Sequence, residues 1–200
     1  MKAFNDYAEI NTAMASEKLP VGGYVLKVMS VKYEAGTNGN SDQVVLAFDV
    51  AEGEYAGFFK KQYEANTDEN KKWKGSVRIY VPVDDGSEKD GWTKKSFKRW
   101  MEAFEDSNPG YKWNWDENTL KGKLIGGIFG EVLKTMTDEN GQDKDITYVT
   151  LRFPASVANI RNNNFKIPDA QDKRRAANTS APVADGFANV PVGADGDIPF

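Results

Sequence analysis

One stretch of this 200-residue chain repeats its apolar residues with the period of an amphipathic helix, and the stretches on both sides alternate with period two. Phe97, Trp100, Met101 and Phe104 fall at i, i+3, i+4 and i+7, with Thr93 as the expected N-cap. Asn108, Pro109 and Gly110 stop the pattern. Before it, residues 24–33, 43–50, 57–63 and 76–82 read as strands; after it, residues 123–136 and 146–153 do. Gly126, Gly127 and Gly130 mark the first of the later pair as a strand that bends and admits a close neighbour.

Strands bracketing a single helix in this order restrict the architecture to a few solutions. The fold class expected is mainly β: a five-stranded OB-type Greek-key barrel with one helix between the third and fourth strands, followed by a disordered C-terminal tail. A helix-capped β-sandwich satisfies the same spacing. Residues 1–19, with weak apolar spacing at Phe4, Tyr7, Ile10 and Met14, read as an arm or short helix. Residues 20–161 read as the folded body, and 162–200 as a flexible linker and acidic tail rich in Ala, Pro, Asp, Gly and Asn. No run approaches the roughly 20 apolar residues of a membrane span, so a cytoplasmic protein without a membrane partner is expected.

The chain has neither cysteine nor histidine. That removes disulfides, thiolate nucleophiles, Ser-His-Asp triads and the usual zinc ligands. The acidic loops, Asp84, Asp85 and Asp90, then Asp138, Glu139, Asp143 and Asp145, lack the offsets of an EF-hand and read as turns. The expectation is a protein that is not an enzyme and carries no metal or cofactor. A Mg²⁺-dependent nuclease or a strand-annealing factor is the catalytic alternative.

Net charge is −4, but it is unevenly spread. Residues 1–56 hold four basic and eight acidic side chains, whereas residues 57–99 hold eleven basic and seven acidic. Within that basic middle, Lys61 and Tyr63, then Arg78 and Tyr80, alternate against apolar neighbours, with Lys72, Trp73 and Lys74 on the connector between them. Cations for phosphates interleaved with rings for bases are what a grip on single-stranded nucleic acid requires. Arg152 joins the set by alternation with Leu151 and Phe153 in the last strand. Solubilising lysines and half-buried tyrosines explain the same pattern blandly. Lys173, Arg174 and Arg175 either touch phosphates or solvate the linker. Tyr111, Trp113 and Trp115 offer a sugar platform if exposed, which keeps a carbohydrate-binding or structural β-sandwich module as the other alternative.

The chain ends on Asp195, Asp197, Ile198, Pro199 and Phe200, a compact acidic and apolar ligand on a hydrophilic tether. At the end of a low-complexity tail this tip resembles that of bacterial single-stranded-DNA-binding proteins. The body, including residues 120–131, is similar to bacteriophage-encoded proteins of that role. The tip departs from the family in alternating its two aspartates with glycines. The resemblance implies an OB fold that coats single-stranded DNA without sequence preference in phage DNA replication or recombination. It also implies that the tip recruits replication or recombination proteins of the bacterial host. The DNA-contacting residues named above rest on face and charge alone, and the oligomeric state, a homo-oligomer included, is left open.

Overall fold

Alternation in the first strand sets the sheet. In β1 (Gly22–Glu34) Leu26 and Val28 are buried while Lys27 and Met29 are exposed. The structure, a computed structural model, describes residues 17–37 and 41–175. Most of the expected N-terminal arm and the C-terminal tip lie outside the described residues.

β2 (Gln43–Val50) pairs antiparallel with β1 and buries Val44, Leu46, Phe48 and Val50, as its pattern predicts. β3 (Ser76–Tyr80) pairs with the far side of β2. β4 (Leu124–Thr137) pairs with the far side of β1, and β5 (Asp143–Ala155) pairs with β4. The path through the sheet is β3-β2-β1-β4-β5. β6 (Gln171–Lys173) adds to β4 in parallel at Val132, Leu133 and Lys134, beyond the point where β1 has ended. The protein is therefore mainly β, built on a mixed sheet with few helices. The expected barrel closure is not made: β3 and β5 are the outer strands, and no ladder joins them.

Residues 57–63, expected as a strand, form a helix instead, α1 (Phe58–Ala65). Phe58 and Phe59 are adjacent and both buried, which a strand with one core-facing side cannot achieve. Lys60, Lys61, Gln62 and Glu64 are good helix formers. The deciding group comes from another element. The Asp49 carboxylate, buried at the end of β2, accepts the backbone N–H groups of Val50 at 2.8 Å, Phe59 at 2.9 Å and Lys60 at 3.2 Å. It thereby satisfies the otherwise orphaned first turn of α1.

α2 (Glu88–Ser107) carries the predicted apolar stripe but starts five residues before Thr93. Ser87 is its N-cap, accepting from the Asp90 N–H, and Asp90 bonds the backbone of Val83 and Asp84. Asp90 and Gly91, read from sequence as a turn, lie in its first turns. Phe97, Trp100, Met101 and Phe104 pack with Leu26, Leu46, Ile79, Ile125, Phe129 and Leu151 in the main core. A second, smaller cluster forms where α3 (Val157–Arg161) puts Val157 and Ile160 against Val25 and Ile128, with Phe165 beside them.

The linker expected from residue 162 is held against the sheet through residue 175. All three glycines of β4 are crowded, but only at Gly126 is a backbone the close neighbour, the carbonyls of Ala155 and Ser156 lying 2.8 Å from where a Cβ would stand; at Gly127 and Gly130 side chains make the approach. A Cβ on Gly126 would meet Ile160 at 2.6 Å, and one on Gly130 would meet Pro168 at 2.7 Å. Among the described residues no helix is long and apolar enough to cross a membrane.

Candidate nucleic-acid interface

The unpaired edges of β3 and β5 face each other across a groove of about 380 Å³. β3 supplies Arg78 and Tyr80 on one side. Period-two geometry brings Tyr148, Thr150 and Arg152 of β5 to the other side as a row. Trp100 and Val132 also line it, as do Gln171 and Lys173 of β6, on the edge of β4 opposite β5. Among the described residues three cations and two tyrosines line this groove, and no carboxylate does. In a chain of net charge −4 that lining is locally positive.

Arg78 is exposed, its side chain at 57%, and reaches toward Glu34 at 4.0 Å. Glu34 also accepts a hydrogen bond from the Lys32 ammonium at 2.9 Å. That bond, with the charges of Lys32 and Arg78, holds the Glu34 carboxyl below its ordinary range. Arg152 is half-buried, sits over the ring of Phe153 at 5.8 Å, and donates to the Glu131 carbonyl at 3.4 Å. Its guanidinium thus keeps most of its donors for a ligand.

The remaining sequence candidates form a second group. Lys61 and Tyr63 ride on α1, not on a strand face. Tyr63 lies against Trp73 with ring centroids 5.8 Å apart, and the Lys71 ammonium sits 4.8 Å over the Tyr63 ring. The Trp73 indole donates to the carbonyls of Phe48 and Gly75, so this ring pins the connector to the core. Lys72 and Lys74 are exposed beside it. Lys74 lines a cavity of about 440 Å³ that Tyr148 also lines, and Tyr148 connects this group to the groove.

Sequence reasoning singled out Arg78, Tyr80 and Arg152 and weighed Lys173 as a phosphate contact or a solvating charge, but passed over Tyr148 and Gln171. Tyr148 carried a signal, its alternation with Val149 and Leu151. Gln171 carried none and Lys173 only its place in a basic triplet, because β6 is three polar residues held by pairing with β4. Arg174 bonds Asp172 and lies 3.8 Å from Asp145; Arg175 bonds Asp143 at 3.1 Å and Thr137 at 3.1 Å. Of that basic triplet, Lys173 is the member that lines the groove.

The tryptophan cluster borders a different, apolar groove with Phe97 and Met101. Trp115 is 80% exposed and stacks on Phe97 within 9°, but Trp113 is tilted 58° from it. The two indoles are thus not a coplanar platform. The acidic and basic groups of that groove already pair: Lys94 with Asp84, Lys98 with Glu102, and Glu105 with Lys112. Of the acidic loop residues, Asp85 and Asp138 fix turns, accepting from Ser87 and from Asn140 and Gln142, whereas Asp143 and Asp145, expected in a turn, lie in β5 and accept from the hydroxyls of Thr137 and Thr135. Among the described residues no three His, Cys, Asp or Glu side chains gather around one point.

No protein-family model matches this chain. No curated protein matches it either.

Proposed function

We propose that the protein binds single-stranded DNA without sequence preference, holding the strand between β3 and β5. The observation that carries this reading is the groove lining: Arg78, Arg152 and Lys173 with Tyr80 and Tyr148, and no carboxylate among the described residues. Guanidinium and ammonium groups take phosphates, which are the same at every nucleotide, and tyrosine faces stack on any base. The strand order, with α2 between β3 and β4, supports an OB-type barrel left partly open at the β3–β5 seam, the seam serving as the groove. The tip resemblance supports the second half of the reading: the last residues, Asp195, Asp197, Ile198, Pro199 and Phe200, recruit replication or recombination proteins while the body holds DNA.

Anisotropy titration of labelled oligo-dT tests it. Three groove cations each neutralising one phosphate give a log–log salt slope of about −2 or steeper, from roughly 0.7 per contact on a single strand. Affinity then falls about 20-fold between 50 and 200 mM salt. A chain ending at residue 197 keeps this affinity and loses capture of the partner proteins. Absence of saturable binding at 50 mM salt sinks the DNA reading, and a truncated chain that binds DNA much more weakly sinks the division of labour.

Glu34 competes for the same cations. Glu34→Gln is expected to tighten oligo-dT binding about twofold to fivefold by releasing Arg78 and Lys32 from a carboxylate. Because the Glu34 pKa is lowered, the carboxylate stays charged until pH falls through that lowered value. Mild acidification from neutrality therefore does not imitate the substitution, and equal pH profiles above pH 5 for the two proteins check it.

A further inference from the structure

The groove does not end at Arg152. That side chain also lines a second, shallow cavity with Phe153, Lys166, Pro168 and Asp169 on the outside of β5. One guanidinium therefore borders both spaces. Beyond it stands another cation, Lys166, on a stretch without secondary structure of its own.

That stretch is nevertheless pinned at three places. Phe165 packs into the α3 cluster beside Gly23, where even a Cβ would come within 2.5 Å of its ring. Pro168 seats against Gly130, and Gln171, Asp172 and Lys173 pair with β4. Lys166 lies between the first two anchors and is exposed. The chain thus fixes the backbone under an exposed ammonium that shares a cavity with Arg152.

We infer that Lys166 is a phosphate-binding residue, and that a strand held in the groove passes over Arg152 and continues onto residues 165–169. This rests on the single-stranded-DNA reading of the groove and extends its footprint. Arg152 acts as the shared contact between consecutive phosphates. Asp169 borders the same cavity and opposes the strand, so the extension is weaker than the groove itself.

The absence of cysteine makes the test direct, since a single introduced thiol is the only one in the chain. Lys166→Cys and, as a control just after the 3₁₀ turn Glu117–Leu120, Lys121→Cys are coupled to a thiol-specific photocrosslinker. Each is irradiated with oligo-dT of about 16 nucleotides, the long end of the site sizes of single OB folds. Crosslinking at 166 and not at 121 is expected. In parallel, Lys166→Gln should lower the magnitude of the salt slope by about 0.7, Lys121→Gln should leave it unchanged, and Asp169→Asn should tighten binding about twofold to fivefold. If all proteins bind oligo-dT but residue 166 crosslinks no more than residue 121, or the slope is unchanged in Lys166→Gln, the extended path is wrong and the groove stands. If the parent protein binds no oligo-dT, both readings fall together.

Discussion

Reversing the two groove arginines, Arg78→Glu with Arg152→Glu, is expected to weaken oligo-dT binding about a hundredfold or more at 50 mM salt while leaving the fold intact. On the proposed reading each reversal removes one phosphate contact and installs a repulsion in its place, and like charges facing each other cost several kcal/mol in an interface. The remaining salt slope should drop by about 1.4, two contacts at roughly 0.7 each. The fold should survive because neither guanidinium supports the core. Arg78 is exposed with a 4.0 Å ion-pair distance to Glu34, and Arg152 makes one long bond to a carbonyl. Surface pairs of this kind contribute at most about 1 kcal/mol. Circular dichroism and the thermal midpoint report the fold, and anisotropy reports affinity. The control is Lys121→Glu with Lys123→Glu, which changes net charge equally on a loop away from the groove. If that control loses as much affinity, the effect is general electrostatics and the groove has no special role.

Asp49→Ala is expected to be the most damaging single polar substitution, costing about 3 kcal/mol. Asp49 is 7% exposed and serves three backbone donors. Hydrogen bonds to a charged group contribute about 1.5–3 kcal/mol, and removing the acceptor leaves buried N–H groups without a partner. For a domain of this size that corresponds to a fall in Tm of about 6–12 °C. Asp49→Asn retains one acceptor oxygen and should lose roughly half as much. The damage starts at α1, so Tyr63 and Lys61 should become mobile before the sheet melts, and hydrogen exchange at Phe59 and Lys60 should accelerate first. A midpoint unchanged within about 2 °C would mean water replaces the carboxylate at no cost.

The strands that alternate cleanly were legible in the sequence: β1, β2, β3 and β5 begin and end near where their apolar residues do. So was the apolar stripe of α2, although its start was not, because Thr93 competes with Ser87 as a cap on local grounds. The Ser87–Asp90 pairing decides it. What stayed hidden was decided at a distance. Phe58, Phe59 and Tyr63 show aromatic, strand-like chemistry, and only a carboxylate arriving from β2 turns them into a helix. Nothing in Gln171, Asp172 and Lys173 announces a strand; β4 recruits them because β1 runs out. The same holds for the site. Arg78, Tyr80 and Arg152 were visible as period-two partners of core residues, whereas their convergence depends on β3 and β5 being opposite ends of one sheet.

That last arrangement has a mechanical consequence. No backbone ladder spans the seam, so prising the two rims apart or letting them approach requires only a change in sheet curvature, with every existing strand pairing kept. On the single-stranded-DNA reading proposed above, such a seam would act as a pair of compliant jaws that accept a purine or a pyrimidine without rearranging the core, so that tolerance of base identity would be a property of the frame as much as of the side chains mounted on it.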